Sequence, residues 1–174
     1  MEKINNNISS RAWILLAVSD MQRARNFYEK VMEQEIDSVS GDLHVVYKSG
    51  IALQYDYAGL VAGGKAFAPH PTGAKLTMKT KPNNFQIAFE VEDLDYWSAK
   101  IKAVEGIEII HDVAEYHWGQ RAIRFYDFDG HIIEFGEDLK IVVKRFLEQG
   151  LTVEKVAELF GDSVENIKQL LVSH

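Results

Sequence analysis

The chain has no cysteine. Disulfides, thiolate metal sites, iron–sulfur clusters and a cysteine nucleophile are therefore excluded. The absence fits a reducing cytoplasm, which is the expected location. Proline is scarce: all three prolines fall between residues 57 and 83. No apolar run approaches the length needed to span a membrane. The first residues, "MEKINNNISSR", have no apolar core, so a signal peptide is not expected. Positive charge is in the minority: 19 Lys and Arg stand against 26 Asp and Glu, a net charge of -7. That balance disfavours general attraction to nucleic acid or anionic membrane. No phosphate loop, nucleophile elbow or dinucleotide fingerprint is found.

What is present is an ordinary globular composition, 47% hydrophobic and 26% charged. Its 174 residues suit one compact domain with a small appendage. "WILLAV", 13–18, reads as a buried strand. Ser19 and Asp20 offer helix-capping oxygens. Met21, Ala24, Phe27, Tyr28 and Val31 follow at helical spacing. Residues 34–39, 42–48 and 51–56 read as three short strands, punctuated by Gly41 and by Ser49-Gly50. The same order returns. "FQIAFEV", 85–91, is a strand, and Asp93 can cap a helix bearing Leu94, Trp97, Ile101 and Val104. Residues 107–111, about 117–126, and 132–136 are strands.

"AVSDM", 17–21, lies over "EVEDL", 90–94, at an offset of 73. "GIALQY", 50–55, lies over "GHIIEF", 130–135, at an offset of 80. A strand–helix–three-strand unit used twice is an internal repeat. One such unit leaves a sheet face uncovered, so the expected fold is α+β: two β-α-β-β-β modules, about 11–56 and 84–137, forming a curved sheet or partial barrel around a cavity. The domain is expected over 1–137, with a helical extension over 138–174.

The connection 57–83 carries Lys65, Lys75, Lys79 and Lys81 and no acid. It reads either as a solvated loop or as a lid that attracts an anion. The extension contains a helix–glycine turn–helix outline, with Thr152 and Ser163 as caps. Over 139–174 five Lys and Arg match five Asp and Glu, and Val164, Ile167, Leu170 and Leu171 make an apolar face. Packing or dimerisation is expected of it, not DNA binding.

"AVSDMQRARNFYEKVM", "IAFEVEDLD" and "HWGQRAIRFYDFDGHIIEF" together resemble the glyoxalase/bleomycin resistance/dioxygenase superfamily, the vicinal oxygen chelate fold. The resemblance covers about 13–137. Its most specific part, "WGQRAIRFYDFDGHIIEF", is similar to the W-G-x-R…F-x-D-P-D-G-x-x-I-E ending of that superfamily. Phe128 stands where proline is usual. The superfamily contains metal-dependent lyases and isomerases, iron dioxygenases, fosfomycin-inactivating enzymes and metal-free antibiotic-sequestering proteins. Fold alone does not choose among them. Many relatives are dimers, so a homodimer is implied.

The resemblance places metal ligands on the first and last strands of each module. The two offsets put Trp13, Gln54, Gln86 and Glu134 at those places. One carboxylate, two amides and an indole make a poor divalent site, because such ions favour imidazole and carboxylate. None of the six histidines stands at these positions. No metal ligand set is assigned and no cofactor is expected, with a divalent metal kept as the minority alternative. If the last hairpin loop is Asp127–His131, Arg124 lies across from Glu134 and neutralises it. Such a pair either only braces the sheet or also touches ligand.

Trp13, Gln54, Gln86, Arg124, Tyr55 and Trp118 are the candidate ligand-binding residues; Tyr57 is a further one at the loop mouth. His117 reads as a surface residue. Asp127 and Asp129 are expected to serve the turn. The favoured function is a metal-free protein binding a small molecule between the modules. The alternative is a glyoxalase-type lyase or dioxygenase using Gln86 and Glu134, with Glu134 catalytic. A third reading, a DNA-binding regulator, is disfavoured by the tail charge.

Overall fold

The computed structural model describes residues 14–55, 81 and 84–172. Trp13, Tyr57 and nearly all of the lysine-rich connection lie outside the described residues. The chain divides into two compact units, residues 1–80 and 81–174.

In the first unit, β1 (Ile14–Ala17) leads to α1 (Met21–Arg25). The Asp20 carboxylate caps α1 by accepting from the Arg23 amide at 3.0 Å. The helix widens at once into a π-helical turn, Asn26–Val31, closed by the Met32 amide donating to the Phe27 carbonyl at 3.0 Å. Phe27 and Tyr28 are both buried, and Tyr28 stacks on Tyr47 with ring centres 6.0 Å apart. β2 (Ile36–Ser40), β3 (His44–Tyr47) and β4 (Ile51–Gln54) complete an open sheet in the order β1-β4-β3-β2. β1 runs parallel to β4, and the other pairs are antiparallel.

The second unit repeats this order. β5 (Gln86–Val91) leads to α2 (Leu94–Lys102), capped by Asp93 on the Tyr96 amide at 2.9 Å. β6 (Glu108–Glu115), β7 (Arg121–Tyr126) and β8 (Ile132–Glu137) follow. The sheet order is β5-β8-β7-β6, again with the first strand parallel to the last. Alternation along β7 and β8 sends Ile123, Phe125, Ile133 and Phe135 to one face, where all four are buried. Leu94 and Ile101 of α2 are fully buried, and Trp97 meets Phe135 edge-on at 5.5 Å. The opposite face carries Ala122, Arg124, Glu134 and Gly136. The expected repeat and its α+β class are both realised.

The extension forms α3 (Leu139–Glu148), α4 (Val153–Phe160) and α5 (Val164–Val172). Thr152 caps α4, and the Ser163 hydroxyl accepts from the Asn166 amide at 3.1 Å. Val143, Val156, Ala157 and Ile167 form a buried cluster among the three helices. No described helix is long and apolar enough to cross a membrane.

Candidate functional site

The site is built on the last hairpin. Tyr126 pairs with Ile132, which leaves the five-residue loop Asp127–His131, and Arg124 pairs with Glu134. Asp127 holds that loop. One carboxylate oxygen accepts from the Asp129 amide at 3.0 Å and the His131 amide at 2.8 Å, and the other meets His131 Nδ1 at 2.8 Å. The turn role expected of Asp127 is therefore present, with His131 as a partner that the spacing gave no means of seeing.

Arg124 is the hub. Its Nη2 forms an ion pair with Glu134 Oε2. Nε donates to Gln86 Oε1 at 2.8 Å. Nη1 donates to Nε2 of His111 at 3.0 Å and to the Tyr116 hydroxyl. Nδ1 of His111 lies 2.8 Å from the Asp112 carbonyl, which only accepts, so Nδ1 carries the hydrogen and Nε2 receives from the guanidinium. Gln86 closes the ring by donating to Glu134 Oε2 at 3.1 Å. Glu134 is buried, whereas Gln86 is exposed. Five side chains from four strands and one turn thus meet on one sheet face. A partly buried ion pair of this kind is supported when neighbouring groups hydrogen-bond to it, as Gln86, His111 and Tyr116 do here.

Aromatic rings flank the hub. The guanidinium carbon lies 5.3 Å from the Tyr116 ring centre. Tyr116 stacks on Trp118 at 4.5 Å and 12°. Trp118 Nε1 donates to Gln120 Oε1 at 3.1 Å, and Gln120 Nε2 donates to the Glu137 carbonyl at 2.8 Å. His117 is exposed and meets the Trp118 ring edge-on.

The register corrects one expected equivalence. Asp20 and Asp93 cap matching helices, 73 residues apart. Leu15 pairs with Ala52, and Ala88, which is 73 residues beyond Leu15, pairs with Glu134. The counterpart of Glu134 is therefore Ala52, at an offset of 82, and not Gln54 at 80. The cause lies in the hairpins. The β3–β4 loop is Lys48–Gly50, three residues, whereas the β7–β8 loop has five. Aligning their glycines slips the strands by two. A slip of two preserves the inside–outside alternation, so the hydrophobic pattern does not betray it.

Gln54 is buried and serves its own unit: Oε1 lies 2.9 Å from His44 Nδ1, and Nε2 donates to the Tyr55 carbonyl at 2.5 Å. Tyr55 is exposed and lines an open cleft of about 390 Å³ with Asp20, Asp42 and Leu43.

These donors do not fit a divalent cation. Gln86 offers only an amide, and the carboxylate of Glu134 is already paired with a fixed positive charge. Among the described residues no group of three or more His, Asp or Glu could hold a metal. His111 and Tyr116 were not legible as site residues: two register irregularities in β6 hide the pairing of His111 with Arg124.

The model of a glyoxalase-like domain matches residues 12–140. Fosfomycin resistance protein FosX of Listeria innocua is 27% identical over 127 residues, covering 73% of this chain and 88% of that one. A protein of unknown function from Agrobacterium tumefaciens is 25% identical, with a TM-score of 0.60 over 77% of this chain and 97% of that one. A variant of FosX from Listeria monocytogenes, solved with Mn(II) and 1S,2S-dihydroxypropylphosphonic acid, shares the fold: 24% identity, TM-score 0.55, 80% and 99% coverage.

Proposed function

The chain belongs to the glyoxalase-like family, within the glyoxalase/bleomycin resistance/dioxygenase superfamily, and we propose that it binds a small molecule on the polar face of its second module without the usual metal. One observation carries this reading: the guanidinium of Arg124 is already ion-paired with Glu134, the carboxylate that a cation would need. Exposed Gln86 supplies an adaptable amide, and the Tyr116–Trp118 stack supplies a flat apolar flank. These are groups that orient a ligand by hydrogen bonds and stacking. Glu134 then acts as an acceptor fixed by Arg124 and Gln86.

The second reading keeps the metal, since the Listeria monocytogenes FosX variant was solved with Mn(II). On that reading Glu134 and Gln86 would be ligands, Arg124 would have to leave Glu134, and Glu134 would be the catalytic residue. A thermal-shift screen separates the two. Fosfomycin and a panel of small aromatic acids and amines are tested with EDTA and with Mn(II). The favoured reading expects a ligand that raises the melting temperature in EDTA, with the shift lost in Gln86→Ala and Trp118→Ala. Stabilisation seen only with Mn(II), and lost in Glu134→Gln, would establish the metal-dependent reading instead.

A further inference from the structure

We propose that the C-terminal extension is part of this site: Arg145 and Phe146 of α3 position the 116–120 turn, and through it the Tyr116–Trp118 stack beside Arg124. The proposal rests on the ligand reading above for its functional meaning, but its geometry stands on its own.

The contacts run without a break from the tail to the hub. Arg145 Nη2 donates to the Gly119 carbonyl at 2.5 Å. The same guanidinium grips Glu137 at the end of β8, with Nη1 at 2.8 Å from Oε1 and Nη2 at 3.1 Å from Oε2. The Glu137 carbonyl receives Gln120 Nε2, and Gln120 Oε1 receives the Trp118 indole. The turn closes on itself, with the Gly119 amide donating to the Tyr116 carbonyl at 2.8 Å and the Tyr116 amide to the Gln120 carbonyl at 2.9 Å. Tyr116 then meets Arg124.

Packing acts in the same place. Gly119 has φ +84°, and a Cβ there would lie 2.1 Å from Cζ of Phe146. The Phe146 ring therefore fills the space directly over the turn. Only glycine combines that backbone conformation with that contact. α3 is itself held by the cluster of Val143, Val156, Ala157 and Ile167, so α4 and α5 give Arg145 and Phe146 a fixed base. Side chains locked by such a supporting layer hold a site more closely than a bare loop does.

The test uses the full chain labelled with 5-fluorotryptophan, whose three ¹⁹F signals report Trp13, Trp97 and Trp118; Trp118→Phe assigns the one in the turn. Arg145→Met and Phe146→Leu are expected to shift or broaden the Trp118 signal by several linewidths. The Trp97 signal should stay in place and far-UV circular dichroism should be unchanged. Arg145→Lys, which keeps a donor without the fork, is expected to fall between. Lys168→Ala, at an exposed position of α5, should change nothing. A Trp118 signal identical to wild type in folded Arg145→Met and Phe146→Leu would overturn the proposal. If Arg145→Met does not fold, the Phe146→Leu and Arg145→Lys spectra still decide it. No ligand is present in this measurement, so an empty ligand screen would contradict the binding reading and leave this result standing.

Discussion

Val46 faces Ala52 across the first sheet, and Arg124 faces Glu134 at the matching rung of the second. One rung along the relation reverses: His44 faces Gln54 in the first copy, and Ala122 faces Gly136 in the second. The two modules share capped helix, strand order and register, yet each places its polar pair at a different height. The second copy joins its pair to an exposed amide, a histidine and two stacked rings. The first ties its pair into a backbone carbonyl and surrounds it with buried Val46 and Ala52. A repeat thus fixes where side chains point, while the chemistry at each point is set copy by copy.

The largest expected effect comes from breaking the second copy's pair. Arg124→Met leaves Glu134 buried without its cation and should cost roughly 3–5 kcal/mol of stability in urea unfolding. The double change Arg124→Val with Glu134→Ala copies the first module, and it should recover most of that loss while abolishing ligand binding. A double variant as unstable as the single one would show that the two copies are not interchangeable at this rung.

Glycines sharpen the contrast. Gly119→Ala in the second copy meets both positive φ and the Phe146 ring, and it should cost about 2–4 kcal/mol. Gly41→Ala in the first copy also has positive φ, +57°, but has nothing within 4 Å of the added carbon. It should cost about 1 kcal/mol. Thermal unfolding of the two variants gives the comparison directly.

Glu137 and Tyr55 occupy equivalent ends of the last strands, one a buried acid and the other an exposed ring. Burial works against the Glu137 charge, but hydrogen bonds from Arg145 and Arg121 outweigh it and hold the carboxyl below its ordinary value. A depressed folded-state value means that Glu137 stabilises the fold above the ordinary carboxylate range. That stability is lost as pH falls through the folded value. Glu137→Gln should therefore flatten the acid limb of the stability profile, and it should cost about 1.5–3 kcal/mol at neutral pH. The smallest effect is expected in the first copy: Gln54→Leu removes the partner of His44, costs about 1 kcal/mol, and leaves ligand binding unchanged.

Much of this is legible in the sequence. Asp20, Asp93, Thr152 and Ser163 cap helices where their side-chain chemistry says they should. Glycines and alternating apolar residues mark the strands. The Arg124–Glu134 pair follows from one assumed loop length. What could not be read depended on counts that alternation does not record. The two-residue difference between hairpin loops moved the counterpart of Glu134 from Gln54 to Ala52. Bulges in β6 concealed the approach of His111 to Arg124. The docking of Phe146 over Gly119 joins residues 27 positions apart, and no local pattern announces it.

The central claim is that Arg124 takes the place of a metal beside Glu134. Calorimetric titration of Mn(II) into the full chain, with Glu134→Gln in parallel, tests it most directly. The prediction is no stoichiometric binding to either protein at micromolar concentration. One equivalent of Mn(II) bound by wild type and lost in Glu134→Gln would contradict it.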